Sequence, residues 1–394
     1  MEAIKEIKSK ISSSPSFGNL AQLLEKEDDV FIAGSTGAFN AFIVNHVREL
    51  LGSHLFCITP DLITAEKLRD DLEEICGSGA VHFFPTLEKD PGRIDIDFRY
   101  NNSFRAASLK SLSTSADGQI VIAPLKSILE KITPKSKFKS KSIFIKRGND
   151  CDYEKLISQL LEMGYIKEYM VERPMEMSVR GGIVDLFPNG EEFPVRIEFF
   201  GNTVDSIRFF NPETQKSIRK LSSFLIVPEV EINPPSPRLS PEDTILGYLS
   251  SDTAVIFVEV DRIKSSNHYL KAENFNFYRR NSSDVLSQEF LDYIRKFKNI
   301  NIYKFHSGTS RVLNINVSEQ LSFNRNIKLL RSHLKRLVNQ KFNQIPHIYI
   351  LCENEEQRER LDLLIDIPEC NTVRGSLSSG FTYREVPIHV FTDH

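Results

Sequence analysis

The sequence has no tryptophan, only five cysteines, no long apolar run and no excess of positive charge. The missing tryptophan carries no functional information, but the other shortages each exclude something. The cysteines (Cys57, Cys76, Cys151, Cys352 and Cys370) stand singly, with no CxxC pair and no Cys/His cluster, which excludes a zinc site of ordinary spacing. An odd number of them without a signal segment points to reduced thiols in the cytoplasm. No apolar stretch reaches the roughly 20 residues that a membrane span needs. The first residues, MEAIKEIKSKISSSPSFG, are polar and lack the apolar core of a signal peptide. A formal net charge of -3 gives no global pull toward nucleic acid. The nine histidines are dispersed without an HExxH pair, and the serine-rich stretches hold no GxSxG elbow.

What is present is a globular composition, 40% hydrophobic and 26% charged, in a chain of 394 residues. That is too long for one ordinary core, so about two to four domains are expected. Residues 28–123 alternate short apolar strands (30–33, 55–58, 81–84, 120–123) with helices from Gly34 to about Leu51 and over 65–76. Such alternation implies a parallel α/β sheet. Residues 85–102 read as irregular and 103–112 as a helix. Residues 134–147, PKSKFKSKSIFIKR, carry six basic residues and no acid. The expectation is a solvated linker entering a strand at 143–145, with DNA binding by the lysines at 135–141 as the alternative.

A helix at 153–163 then leads into residues 175–211, which read as three strands at 180–187, 195–200 and 204–210. Asn189-Gly190 and Gly201-Asn202 supply the turns. In the middle strand Val195, Ile197 and Phe199 alternate with Arg196, Glu198 and Phe200, so one face is core and the other polar and aromatic. After Pro212 the chain is expected to re-enter the first domain. Residues 227–241 are proline-rich and read as a connection, 254–260 as a buried strand, and 262–310 as helical and loop material. From 317 onward a compact α/β module is expected. It has an apolar stripe of Ile327, Leu330, Leu334 and Leu337, a strand at 347–352, a helix at 355–365 capped by Asn354, and a strand at 386–391. The sequence stops at His394 directly after that strand, which reads as an expression boundary.

Gly34-Ser35-Thr36-Gly37-Ala38-Phe39-Asn40-Ala41 stands where a phosphate-binding loop belongs. A working loop ends in Gly-Lys-Ser/Thr, whose lysine draws the β and γ phosphates and whose hydroxyl holds magnesium. Phe39, Asn40 and Ala41 occupy those places, so the ammonium and the magnesium ligand are gone. Glu259 offers one carboxylate where the second half of such a site needs an acidic pair, and reads as structural. No cofactor and no metal are expected. Asp95 and Asp97 are the fallback for nuclease chemistry and read as solvated acids.

The stretch MSVRGGIVDLFP…PVRIEFFGNTVDSIRFF, followed by NPETQKSI, closely resembles the damage-recognition helicase UvrB. It resembles still more closely the N-terminal UvrB-homology region of bacterial transcription-repair coupling factors. Phe84-Pro85 with Glu88, Pro91, Arg105, Leu109 and Leu112 is similar to that family's first domain, without the long aromatic hairpin of UvrB. GFTYREVPIHVFTD resembles the end of its small third domain. The resemblance implies a degenerate P-loop, RecA-like parallel-sheet domain with an inserted small α+β domain and a C-terminal small α/β domain. Its boundaries would be 1–125, 126–212 for the UvrA-binding domain, 213–316 completing the first domain, and 317–394.

It further implies a non-catalytic adaptor of transcription-coupled nucleotide excision repair that recruits UvrA, with Arg180, Arg196 and Phe200 as the UvrA-binding residues. RNA polymerase and double-stranded DNA would be partners of the full-length family, an ATP-dependent translocase, through domains absent here; no membrane is involved. The alternative is an ATP-dependent UvrB-type helicase, which needs Lys-Thr where Asn40-Ala41 stand. Arginine and aromatic side chains suit a protein interface. On the residues alone, the competing picture is an Arg196–Glu198 surface ion pair with Phe200 folded under the turn.

Overall fold

A computed structural model describes residues 2–87, 96–114, 118–230, 239–264, 288–305, 312–321, 323, 326–339 and 346–392. The chain forms two compact units. One comprises Met1–His82, Asp117–Leu125 and Ser251–His394, the other Phe83–Ala116 and Lys126–Ser250.

The first unit is built on a seven-stranded sheet. Its order is Leu313–Asn314, Asp29–Ala33, Lys298–Tyr303, Ala254–Phe257, Leu55–Thr59, Ile120–Pro124 and Val81–Phe83. The described pairings are parallel. Every residue of Leu55–Thr59 and Ile120–Pro124 is buried, as expected of inner parallel strands covered on both faces. The strand Lys298–Tyr303 lies inside a stretch read as helix and loop. Its sequence, KNINIY, puts polar residues where a buried strand is expected to be apolar. Asn299 is tolerated because its side-chain amide donates to the carbonyls of Phe297 (2.7 Å) and Ile294 (3.3 Å). The polar start of the chain forms two helices, Glu2–Ser12 and Pro15–Lys26, which bury Ile4, Ile7, Ile11, Phe17, Leu20 and Leu24.

The same unit carries a five-stranded sheet. Its order is Val317–Glu319, Phe381–Tyr383, Ile388–Phe391, His347–Cys352 and Cys370–Arg374. The helices Ile327–Asn339 and Glu355–Ile365 supply Leu334, Leu337 and Ile365 to its core. Asn354 caps the second helix, accepting from the Gln357 amide at 2.8 Å. The mixed α/β class, with a parallel sheet and small additional sheets, is as the sequence implied.

The second unit holds a six-stranded sheet. Its order is Ser217–Leu221, Thr203–Phe210, Val195–Phe200, Ile183–Leu186, Glu176–Arg180 and Ile166–Lys167, antiparallel except for the last pair. The reading of 180–187 as one strand is corrected: Gly181 (φ +57°) and Gly182 turn the chain between Arg180 and Ile183. A Cβ at Gly182 would stand 2.8 Å from the Phe199 carbonyl oxygen, which accounts for the second glycine. The chain also does not leave this unit after Pro212, because Ser217–Leu221 forms the sheet edge and Ser223–Ile226 pairs with Ile143–Lys146.

The helix Tyr153–Glu162, capped by Asp152, contributes Leu156 and Leu160 to the core with Met177, Val184, Val195, Ile197 and Ile207. The helix Ile96–Thr114 begins earlier than read. Lys135–Lys141 is a short helix, not a linker. Phe138 is buried with its ring centroid 5.9 Å from that of Tyr248, and Lys135 donates to the Tyr248 carbonyl at 2.7 Å. Glu88, Pro91, Asp95, the side chain of Asp97, residues 231–238 of the proline-rich stretch and most of 262–310 lie outside the described residues. Among the described residues no helix is long and apolar enough to cross a membrane.

Candidate protein-recognition face

The register of the six-stranded sheet places side chains in rows. Val179, Val184, Ile197, Ile207 and Leu221 form a row on the core face, and Met177, Leu186, Val195 and Phe209 form the next. On the opposite face one row runs Ser178, Asp185, Arg196, Arg208, Lys220, and another runs Arg180, Ile183, Glu198, Ser206. The strand period of two therefore collects a polar surface from five consecutive strands within residues 176–221.

At the centre of that surface is Asp185, whose side chain is 2% exposed. Arg196 grips it with two bonds, Nε to Oδ1 at 2.6 Å and one Nη to Oδ2 at 2.8 Å. The same Nη of Arg196 also reaches Gln215 Oε1 at 2.8 Å, and the guanidinium lies 4.5 Å from the centre of the buried Phe210 ring. Arg180 approaches Asp185 Oδ2 from the other side at 3.4 Å, and its guanidinium stands 5.7 Å from the Tyr169 ring. One buried carboxylate thus orients two arginines, each also stacked on an aromatic ring. Planar, preordered guanidinium groups lose little freedom when they meet a partner's carboxylate.

Arg196 and Glu198 do not pair with each other. Glu198 accepts from Arg208 (2.6 Å) and Ser206 (2.6 Å), and these bonds pull its carboxyl down to about 2. Phe200 is not folded under the turn: it is 85% exposed, opposite Thr203 at the strand end and one row beyond Glu198. The structure therefore gathers Arg180 and Arg196 on one carboxylate and sets Phe200 at the rim of the same face. Asp185, Gln215 and the 81% exposed Tyr169 were not singled out from the sequence. Asp185 alternates with Val184 and Leu186, the one signal that put it on the polar face. Tyr169 comes from a preceding loop, held by the bond from Ser178 Oγ to its carbonyl at 2.9 Å.

The loop resembling a phosphate site has a different character. Gly34 (φ +78°) and Gly37 (φ +55°) keep its turns. Phe39 is buried among Phe17, Phe42, Phe381 and Tyr383, with centroid separations of 5.0 to 6.1 Å. Asn40 is buried and accepts from Ser35 Oγ at 2.6 Å, and Ala41 is buried beside it. Glu259 sits in left-handed backbone (φ +55°) and is held by Arg262 at 2.7 Å. Among the described residues no three His, Cys, Asp or Glu side chains come together as a metal site, and the five cysteines are free thiols.

The antiparallel part of this sheet, with a helix on its apolar face and arginines on the opposite face, lies in a stretch that a known family describes. Residues 143–231 match the UvrB interaction domain. The chain is also similar to transcription-repair-coupling factors. That of Bacillus subtilis (strain 168) is 34% identical over 203 residues, covering 51% of this chain and 17% of the relative. That of Staphylococcus aureus (strain USA300) is 24% identical over 396 residues, covering 83% of this chain and 33% of the relative. The resemblance to the UvrB-homology region of that family is thus shown, and the chain spans no more than a third of the length of these relatives.

Proposed function

We propose that this chain is a non-catalytic adaptor module of DNA repair, working in the cytoplasm, that recruits UvrA through its second unit. The observation that carries the reading is the coincidence of the family match over residues 143–231 with a sheet face that displays Arg180 and Arg196 on one buried carboxylate and Phe200 at its rim. Within this reading the partner brings a carboxylate to the two guanidinium groups and an apolar pocket to Phe200, the pairing typical of interface hot spots. RNA polymerase and double-stranded DNA are partners of parts of the longer relatives beyond this chain. The first unit contributes a scaffold, and its buried Asn40 and Ala41 leave a nucleotide without the ammonium and hydroxyl that phosphate transfer requires.

The test is titration calorimetry of purified UvrA with the wild-type chain and with Arg180→Ala and Phe200→Ala. Both side chains are exposed, so the substitutions leave the fold intact, and each is expected to weaken binding by about 1 kcal/mol or more. Near-wild-type affinity in both variants removes the site assignment.

A further inference from the structure

The glycine loop of the first unit lacks a phosphate loop's lysine and hydroxyl but has two glycines at positive φ, Gly34 and Gly37, and the structure shows what packs against them. The amide of Ala38, at the start of the helix Phe39–Leu51, donates to Ser379 Oγ at 3.0 Å. A Cβ at Gly37 would overlap that same hydroxyl, so the glycine leaves the space that Ser379 occupies. Next to it, Ser378 donates twice to the buried Asp71, from its amide to Oδ1 at 2.6 Å and from its hydroxyl to Oδ2 at 2.6 Å. Thr36 Oγ1 donates to Glu319 at 2.8 Å, and Lys304 donates to the same carboxylate oxygen at 2.6 Å. A Cβ at Gly34 would overlap the Ile315 carbonyl, and the Val317 amide donates to the Gly34 carbonyl at 3.1 Å. Phe39, standing where a lysine loop has its glycine, packs edge-on against Phe381 with centroids 5.1 Å apart.

These contacts come from one edge of the five-stranded sheet, from 315–319 and from 378–381 leading into the neighbouring strand, and apart from the Lys304–Glu319 pair they fall on residues 34–39 or on Asp71. We propose that the loop is a socket for the chain's own Ser378-Ser379 segment: the hydroxyl of Ser379 takes an amide that would otherwise face a phosphate, and these contacts latch the five-stranded sheet onto the seven-stranded sheet. The cleft beside the latch, about 750 Å³, is consistent with this. Its Arg262 is tied to Asp61 and Glu259 and its Lys304 to Glu319, so these cations are committed to acids of the chain itself. Retention of both glycines without the lysine then has a reason: they serve close packing between two sheets.

The latch is tested by hydrogen–deuterium exchange with mass spectrometry on the whole chain. Replacing both serines (Ser378→Ala with Ser379→Ala) removes two hydrogen bonds, the one from Ser378 Oγ to Asp71 and the one from the Ala38 amide to Ser379 Oγ, without adding bulk. Amides of Phe381–Tyr383, Ile388–Phe391 and the first turn of Phe39–Leu51 are expected to exchange about tenfold faster, with Val195–Phe200 in the other unit unchanged. Gly37→Ala, which wedges a methyl against Ser379, is expected to act on the same amides, and magnesium-ATP on none of them. Unchanged exchange in both variants, or protection of residues 34–42 by magnesium-ATP in the wild-type chain, overturns the proposal.

Discussion

Replacing Arg196 by alanine should unfold the second unit more easily as well as weaken recognition, and the structure gives the size. The guanidinium is largely buried and makes two short bonds to Asp185, a third bond to Gln215 and a face contact with Phe210. Removing it leaves Asp185, 2% exposed, as a buried carboxylate with only the long 3.4 Å contact from Arg180. Breaking a buried ion pair from one side costs about 3–5 kcal/mol when nothing replaces the partner. Arg180 can swing in and water can enter from the solvent side of the sheet, so about 2–3 kcal/mol is expected here. Arg180→Ala, by contrast, deletes a half-exposed side chain at the long end of a hydrogen bond and should cost no more than about 0.5 kcal/mol.

The assay is urea unfolding followed by tyrosine fluorescence and circular dichroism, since the chain lacks tryptophan. At a urea slope of about 2 kcal/mol/M, the Arg196 variant should unfold about 1 M earlier than wild type, with the Arg180 variant close to wild type. Equal midpoints for the two variants would refute the argument that Asp185 depends on Arg196. The result also governs how an alanine scan is read, because a binding loss in Arg196→Ala mixes a lost contact with a loosened sheet, whereas losses in Arg180→Ala and Phe200→Ala report contact alone.

Two other outcomes follow from buried groups. Burial raises the Asp71 carboxyl to about 6 against an ordinary 3.8, with Asp70 adding to the rise and Lys67 and the two Ser378 bonds opposing it. A raised carboxyl binds its proton more tightly folded than unfolded, so its share of stability is greatest at low pH and falls as pH climbs between those two values. The first unit should therefore lose about 1 kcal/mol of stability from this group between pH 5 and 7, and Asp71→Asn should flatten that slope in urea unfolding. Phe138 is fully buried against Tyr248 in a helix otherwise made of lysine and serine, so Phe138→Ala should cost about 3 kcal/mol and expose the helix to limited proteolysis. Replacing the exposed Lys139 with glutamine, in contrast, should leave the unfolding midpoint unchanged.

Much of the fold is legible in the sequence because local chemistry and tertiary demand agree there. The buried runs 55–59 and 120–124, the capped helix after Asn354 and the alternation of Val195–Phe200 each announce their element. Elements were missed where a tertiary partner makes up for a poor local signal. Lys298–Tyr303 is an inner strand in which the Asn299 side-chain NH2 finds two carbonyls to accept from it, and Lys135–Lys141 is a helix because Phe138 has a pocket. The hairpin turn at Gly181-Gly182 was hidden inside an apparently continuous strand, since only the approach of the Phe199 carbonyl shows why two glycines stand there.

The candidate site divides the same way. Periodicity alone put Arg196, Glu198 and Phe200 on one face, and the family resemblance picked out Arg180 with Arg196 and Phe200. Sequence could equally remove the phosphate loop's chemistry, because a missing lysine is a local fact. What only the tertiary structure decided is which charge meets which: cross-strand register gives Arg196 to Asp185 and Glu198 to Arg208, and brings Arg180 to the same carboxylate. It also decided that the emptied loop is filled by Ser379, more than 300 positions away in the chain. Side-chain type and spacing are properties of the chain, but an ion pair or a filled socket depends on distances between strands that only packing sets.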